Sequence, residues 1–364
     1  MTTWLNVKNN AESALASAIT AAATTLTLIS GDGAKFPSTN FNISIDDEIL
    51  ACSSRSGDVL TVTRAQEGTA AAAHVSGAIV ALNVTAAIIT QLQAGVDAAA
   101  TSGGREMLAA NRTYYVRTDG NDLNTGLVND ASGAFLTIQK AIDAAAALDC
   151  SVYDITIQLA AGTYVVTSTV NLKSIIGAGS VTIIGDEATP TNVVIEAQGS
   201  MLSILKALAV PYTTYKLKGF KLYSSTANAT FGIHSSKGSY IEFQNLNFGT
   251  GITQQLRADD GGKITCTGNY TIAGGAASHV TAVAGIVRIQ NCTITVTGTP
   301  AFSTAYVDIQ YGSVAIMNNC IYSGLATGGR YTVQMNGVCF VGGAGVNYFP
   351  GDGAGTTATG GQYA

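Results

Sequence analysis

The sequence has few charged residues. Lys and Arg together number 18 and Asp and Glu 23, which is only 11 % of the 364 residues and less than half of the usual share. Because 47 % of the residues are hydrophobic, the composition excludes an intrinsically disordered chain. The net charge of −5 provides no excess of cations to neutralise phosphates, so we expect no nucleic-acid partner.

Long hydrophobic runs and paired cysteines are also lacking. No stretch has the roughly 18 to 20 consecutive apolar residues of a membrane-spanning helix, so we expect no membrane insertion. The six cysteines contain no C-x-x-C pair, which argues against a zinc site or a redox motif. We expect buried free thiols, production in a reducing cytoplasm, and no metal or other cofactor.

Residues 1–84 contain five short runs of β-forming residues. The runs are 26–29, 41–45, 48–52, 59–63 and 78–82, and turn sequences such as Gly31-Asp32-Gly33 separate them. Runs of this length between turn sequences are typical of strands. We therefore predict a small all-β module.

Residues 85–112 are predicted to form a helical stem and linker, and residues 85–100 follow a helical period. Ile88 or Ile89, Leu92, Val96 and Ala99 share one stripe, which predicts an amphipathic helix followed by a linker. A lone helix of this length is marginal in water. Its stripe therefore needs a partner, either the domain or two further copies of the same helix.

Residues 113–341 contain an internal repeat. A turn residue precedes a short hydrophobic strand in five copies spaced 22 to 28 residues apart, which begin at Gly219, Asn245, Asn269, Asn291 and Asn319. An alternating strand precedes each copy, a third run follows it, and no helix intervenes. This pattern is typical of a solenoid. It predicts a right-handed parallel β-helix of about six to eight coils, so the fold class is all-β.

Stacking of the coils would place equivalent residues in columns. We expect an asparagine ladder of Asn245, Asn269, Asn291 and Asn319, because Asn tolerates the left-handed backbone of a sharp corner and its amide can bond to the next Asn. In the last complete repeat Val314 and Ile316 are predicted to point inward. The outward column between the inward residues then consists of Lys216, Glu242, Thr265, Arg288 and Ala315.

The two ends of the solenoid differ. Residues 137–145 predict a short amphipathic helix with Thr137 as its N-cap, and we expect it to cover the open N-terminal end. In residues 342–364, by contrast, 8 of the first 20 residues are Gly. We expect that this Gly-rich C-terminal segment is not a packed coil but a loop that wraps a neighbouring subunit.

Three segments carry a resemblance to a known family. Residues 36–50 and 60–74 resemble a small β module near the N-terminus of bacteriophage tail fibre and tailspike proteins. Residues 115–122, Gly126 and residues 135–142 resemble the entry to the pectate-lyase-like right-handed β-helix of tailspikes, although Ala134 stands where the family often has Pro. Residues 347–351 and 360–363 are similar to C-termini of the same class.

The resemblance implies a virion protein that is made in the host cytoplasm. Its N-terminal module would dock to the phage tail or baseplate, and its β-helix would face a glycan or other receptor on the host surface. Residues 261–364 contain only Lys263, Arg288, Asp308, Arg330 and Asp352 as fully charged residues. A monomeric solenoid usually needs more charge for solubility, so we expect a homotrimer.

Many tailspikes cleave surface polysaccharide, so catalytic residues were sought. Glycoside hydrolysis requires two carboxylates about 5 to 10 Å apart. Glu242, Asp259 and Asp260 are weak candidates: Glu242 more readily forms an ion pair with Lys216, and Asp259-Asp260 more readily forms a turn before Gly261. The three histidines show no triad spacing. We expect a structural or receptor-binding tail component, with a polysaccharide depolymerase and a bacterial surface adhesin as alternatives.

Overall fold

The computed structural model describes residues 4–103, 105–226 and 229–364. The chain divides into two compact units, Met1–Gly104 and Arg105–Ala364. About 44 % of the residues are in strands and 7 % in helices. The predicted all-β class is therefore confirmed.

The first unit contains a six-stranded antiparallel sheet. Its strands are β1 (Glu12–Ala14), β2 (Thr25–Thr27), β3 (Thr39–Ile45), β4 (Glu48–Ser56), β5 (Val59–Thr63) and β6 (Ile79–Ala81), in the order β1-β6-β3-β4-β5-β2. The sequence analysis missed β1, because this short edge strand has no hydrophobic alternation and is held by its pairing with β6.

Helix α1 (Ala86–Gly103) ends the first unit. The N-terminal segment covers one of its faces: the backbone N–H of Leu5 donates to the Gln91 side chain at 3.0 Å, and the Trp4 ring lies against Gly95. A Cβ at Gly95 would come within 2.3 Å of that ring, so a larger residue there would require the Trp4 side chain to move.

The predicted stripe of α1 is exposed. Ile89, Leu92 and Val96 are 45, 55 and 60 % exposed, and Ala99 lies outside the described side chains. The spacing of three and then four residues is that of the a and d positions of a coiled coil.

The second unit is a parallel β-solenoid of about eight turns. Its first elements are β7 (Arg112–Val116), α2 (Ile138–Ala146), β8 (Ile155–Leu159), β9 (Gly162–Val166), β10 (Val170–Leu172), β11 (Val181–Ile184), β12 (Val193–Ala197), β13 (Met201–Leu208), β14 (Thr214–Lys218) and β15 (Lys221–Ser224). The middle coils contain β16 (Ala229–Ser236), β17 (Tyr240–Gln244), β18 (Asn247–Phe248), β19 (Ile252–Asp259), β20 (Lys263–Cys266), β21 (Tyr270–Ile272), β22 (Ser278–Val283), β23 (Ile286–Ile289) and β24 (Thr293–Val296). The last coils contain β25 (Ala301–Phe302), β26 (Val307–Gln310), β27 (Val314–Ile316), β28 (Ile321–Ser323), β29 (Thr327–Gly328), β30 (Tyr331–Val333), β31 (Val338–Phe340), β32 (Thr356–Thr357) and β33 (Gln362–Tyr363).

These strands stack into three long parallel sheets. The ten-stranded sheet runs β33-β31-β27-β23-β20-β17-β14-β11-β8-β7, the eight-stranded sheet β10-β13-β16-β19-β22-β26-β30-β32, and the seven-stranded sheet β28-β24-β21-β18-β15-β12-β9. Alternate residues of each strand point into a continuous apolar core. The predicted repeat register holds through most of this region, since Ile241, Ile264 and Val287 stack in consecutive coils.

The predicted register is wrong by one residue in β27. Ala315 pairs with Val287 and is fully buried, whereas Val314 and Ile316 point outward. Tyr311 and Gly312 adopt left-handed conformations before this strand, and this turn sets the phase of β27. The hydrophobic pattern therefore misassigned the column, because the small Ala315 faces the core and larger residues face outward.

Helix α2 covers the core at the N-terminal end of the solenoid. It packs against β7, β8 and β10, and Ile138, Ala141, Ile142 and Ala145 are buried. The predicted N-cap is confirmed, since the Thr137 hydroxyl accepts a hydrogen bond from the Lys140 N–H at 3.2 Å.

The Gly-rich C-terminal segment forms a reduced last coil, so the expectation that it is not packed is wrong. Thr356–Thr357 pairs with β30, and Gln362–Tyr363 pairs with β31, both in parallel. Glycine permits this close approach: a Cβ at Gly361 would lie 2.1 Å from the Val333 carbonyl oxygen. Phe349, which belongs to the same segment, is buried in the core.

Candidate functional site

The outer face of the ten-stranded sheet carries the predicted outward column. Lys216, Glu242, Thr265 and Arg288 are paired in consecutive strands, as predicted. Ile316, rather than Ala315, follows Arg288, and Phe340 follows Ile316. This face is therefore polar in the middle coils and becomes apolar toward the C-terminal end.

A cleft opens on the polar part of this face. Its volume is about 350 Å³, and it is lined by Pro211, Gly238, Tyr240, Lys263, Thr265, Ile286 and Arg288. Strands β17, β20 and β23 supply all of these residues except Pro211 and Gly238, which belong to corners. Consecutive coils lie about 4.8 Å apart, so the cleft extends over three coils.

Glu242 lies beside this cleft but does not form the expected ion pair. Its carboxylate accepts a hydrogen bond from the Tyr240 hydroxyl at 2.8 Å, and no ion pair among the described residues joins it to Lys216. Burial, together with the Glu242 carboxylate, raises the pKa of Tyr240. The phenol therefore stays protonated and oriented toward Glu242 at neutral pH.

Two cations of the cleft have no side-chain partner within the described parts of the chain. The other seven arginines each bond to a carboxylate or a backbone carbonyl, as Arg257 does with Asp259. Within residues 4–103, 105–226 and 229–364, the Arg288 guanidinium and the Lys263 ammonium form neither a hydrogen bond nor an ion pair. Both residues are exposed, so their donors are free for a ligand.

The structure places Asp259 in a buried network on the eight-stranded sheet. The His234 Nε2–H donates to the Asp259 carboxylate at 3.0 Å, and His234 Nδ1 accepts from the Ser203 hydroxyl at 3.0 Å. Arg257 also contacts Asp259, at 3.2 Å. Sequence spacing did not reveal this cluster, because its members come from three successive coils and only the solenoid register brings them together.

The network has the hydrogen-bond order of a Ser-His-Asp triad, but its surroundings favour a structural role. Ser203 is 0 % exposed and His234 only 4 % exposed, so no substrate reaches the hydroxyl. Burial lowers the pKa of His234, while Asp259 opposes that shift. A neutral imidazole that donates to Asp259 and accepts from Ser203 links the three coils.

The weak catalytic candidates are not brought together. Glu242 lies on β17 in the ten-stranded sheet, whereas Asp259 ends β19 in the eight-stranded sheet. Asp260 has a left-handed φ of 47° and is followed by Gly261, also left-handed, so it lies in the predicted turn. Among the described residues, no group of three or more His, Cys, Asp or Glu side chains is arranged to hold a metal ion.

The four asparagines of the expected ladder occupy different environments. Asn245, Asn291 and Asn319 have φ values of 49, 55 and 56°, and the Asn319 amide donates to Asn291 Oδ1 at 3.3 Å. Asn269 instead accepts from the Thr293 N–H at 2.7 Å. The reason is that β21 pairs with β24 two residues further along than the ladder requires, so that Tyr270 lies opposite Ile294. Asn245 donates to Glu187 at 3.0 Å.

The first unit contains a buried charged cluster around Glu48. Arg64 forms two hydrogen bonds to its carboxylate, at 2.8 and 2.6 Å, and His74 Nε2 lies at 2.9 Å. Burial alone would raise the pKa of Glu48, but the hydrogen bonds from Arg64, the Ala72 N–H and His74 lower it to about 2. The loop after β5, which forms much of the 60–74 motif, therefore supplies the groups that bind the Glu48 carboxylate.

All six cysteines are buried free thiols, as the sequence predicted. In the described part of the chain, no helix is both long and apolar enough to cross a membrane. No protein-family model matches this chain. No curated protein matches it either.

Proposed function

We propose that this protein is a tail fibre or tailspike-like component of a bacteriophage virion. In this proposal the N-terminal module attaches to the tail or baseplate, and the β-helix is presented to the host cell surface for adsorption. The receptor is a surface glycan. The observation that carries the proposal is the open cleft on the outer face of the solenoid, where the exposed Lys263 and Arg288 side chains have no partner among the described residues and lie beside Tyr240.

The fold and the sequence support the same assignment. A parallel solenoid follows an antiparallel β module, which is the order that the resemblance to phage tail proteins implies. Parallel solenoids present long rows of side chains on a rigid surface, which suits recognition of a repeating polymer.

A homotrimer is part of this proposal. The exposed Ile89, Leu92 and Val96 of α1 have heptad spacing, and such a stripe is satisfied when copies of the helix pack together. On the solenoid, the outward Val314, Ile316, Val338 and Phe340 leave an apolar area, which a neighbouring copy would cover. Light scattering of the purified chain should give the mass of three chains, and a stable monomer would contradict this part of the proposal.

Adsorption is tested by binding to cells. Fluorescently labelled protein is incubated with a panel of bacterial strains and measured by flow cytometry. We expect saturable binding to some strains, and loss of that binding after periodate oxidation of the cell-surface glycans. Failure to bind any strain, or binding that periodate leaves unchanged, would contradict a glycan receptor.

A further inference from the structure

We infer that the cleft at Tyr240, Lys263 and Arg288 recognises a carboxylate-bearing sugar, so that the receptor is an acidic glycan. This inference rests on the proposed function, because it names the class of glycan that the solenoid binds.

The charge of the cleft gives the first argument. Lys263 and Arg288 lie on adjacent strands, β20 and β23, and both line the cleft. Neither has a hydrogen-bonded or ionic partner among the described residues, while the chain as a whole has a net charge of −5. Two unpaired cations in a locally positive cleft on an acidic protein favour a ligand with negative charge.

The shape of the donors favours a carboxylate. A guanidinium presents a planar fork of N–H groups that matches the two oxygens of a carboxylate, and a lysine adds a point charge. Phosphate also accepts such donors, so phosphosugars are a separate arm of the test.

Tyr240 and Thr265 supply an aromatic ring and a hydroxyl group, which can contact the uncharged part of a sugar. The Tyr240 ring is half-buried, and its hydroxyl is held by Glu242 at 2.8 Å, so the ring is fixed at the cleft before any ligand arrives. Thr265 adds a hydroxyl between Glu242 and Arg288 in the same column. The volume of about 350 Å³ is near the lower end of ligand pockets, which fits a short part of a polymer chain.

Glu242 adds selectivity. It carries the same charge as the ligand, and it lies one coil from Thr265 and two coils from Arg288. The backbones of Glu242 and Arg288 are therefore about 10 Å apart, and a ligand carboxylate placed near Tyr240 is repelled by Glu242. The arrangement orients the acidic group toward the Lys263 and Arg288 side of the cleft.

The test is calorimetric titration of the intact protein with three uronic acid oligomers, of glucuronate, galacturonate and mannuronate. Matched probes are the methyl esters of the same oligomers, a neutral glucan, and glucose 1-phosphate. We expect at least one uronate oligomer to bind and its methyl ester to bind at least tenfold more weakly. Arg288→Ala and Lys263→Ala should each weaken binding by about tenfold.

Two further variants control the experiment. Lys140→Ala removes the same charge from helix α2, away from the cleft, and should bind like the wild type. Arg288→Lys keeps the charge without the planar fork and should bind with intermediate affinity. Both cleft cations are exposed and unpaired, so the melting temperatures of the alanine variants should match that of the wild type.

Several outcomes would overturn the inference. These are no binding of any uronate, equal binding of the methyl ester or the neutral glucan, unchanged binding by Arg288→Ala, or tighter binding of glucose 1-phosphate with the same dependence on Arg288. If cells bind wild-type and Arg288→Ala protein equally, the inference fails and the proposed function stands. If uronate binding depends on Arg288 but no cell is bound, the cleft recognises an acidic sugar as inferred, while the proposed role in adsorption fails.

Discussion

Acid should destabilise the solenoid through His279, a neutral histidine in its core. The His279 ring is fully buried among Phe248, Tyr270 and Tyr306. Its Nδ1–H donates to Gln255 Oε1 at 2.7 Å, and its Nε2 accepts from the Tyr270 hydroxyl at 2.8 Å. A second imidazole proton, on Nε2, would end the hydrogen bond that the Tyr270 hydroxyl donates to that nitrogen. It would also place a positive charge in the apolar core.

The magnitude follows from linkage. Burial lowers the pKa of His279 from 6.5 to about 3. The folded-state pKa is below the unfolded one, so the unfolded chain takes up this proton first as the pH falls. The free energy of unfolding therefore keeps its full value above pH 6.5 and decreases as the pH falls toward 3. At about pH 4.5, roughly two units below the unfolded pKa, the free energy of unfolding is lower by about 3 kcal/mol, at about 1.36 kcal/mol per pKa unit.

The assay is guanidinium unfolding of the wild type and of His279→Gln at pH 7.0 and 4.5. Other acidic groups also titrate in this range, and the variant subtracts their contribution. We expect the wild type to lose about 3 kcal/mol more stability than the variant between the two pH values. Tyr270→Phe keeps the imidazole and removes one hydrogen bond, so it should be less stable at both pH values and keep the wild-type pH dependence. Equal pH dependence of the wild type and His279→Gln would refute the reasoning.

The remaining predictions concern register, the N-terminal module and the corners. Ala315→Arg should lower the free energy of unfolding by more than about 3 kcal/mol, because it forces a charge into the core. Ile316→Arg places its charge on the outer face, so it should weaken the association of copies but lower the free energy of unfolding by clearly less than Ala315→Arg does. Equal effects in denaturant unfolding would contradict the outward register of Ile316. Glu48→Gln should lower the free energy of unfolding of the first unit by about 3 kcal/mol, because Arg64 stays buried without its partner. An unchanged thermal unfolding transition of the first unit would show that the cluster does not stabilise it. Asn291→Val should cost about 1 to 2 kcal/mol through its left-handed φ, and an unchanged melting temperature would argue against the strain that the corner places on a β-branched residue.

The sequence was sufficient to predict the solenoid, because its repeat and its alternation are local patterns. The Glu242 column was likewise visible, since residues at equivalent positions of successive coils stack. The phase of β27 was not predictable, because the turn at Tyr311 and Gly312 sets it and the small Ala315 looks like an outward residue. The last coil was not predictable either, because strand pairing forms it and its Gly-rich sequence has no hydrophobic period.

The candidate site was only partly visible for a similar reason. The sequence predicted Arg288 in the outward column but indicated Lys263 only as an isolated charge. The cleft that both share with Tyr240 depends on which residues face outward in three strands. The Ser203, His234 and Asp259 network was invisible, since its residues are 25 and 31 positions apart. No short motif contains such spacings, and only the coil register converts them into hydrogen bonds.

The most direct test of the proposed function is competition for adsorption. Bacteria that bind the purified protein are saturated with it and then mixed with phage particles that carry this chain, which the proposal requires to exist, and the unadsorbed phage are counted over time. The account predicts that the adsorption rate falls severalfold with native protein and is unchanged with heat-denatured protein. Adsorption at the full rate on saturated cells would contradict the role in host attachment.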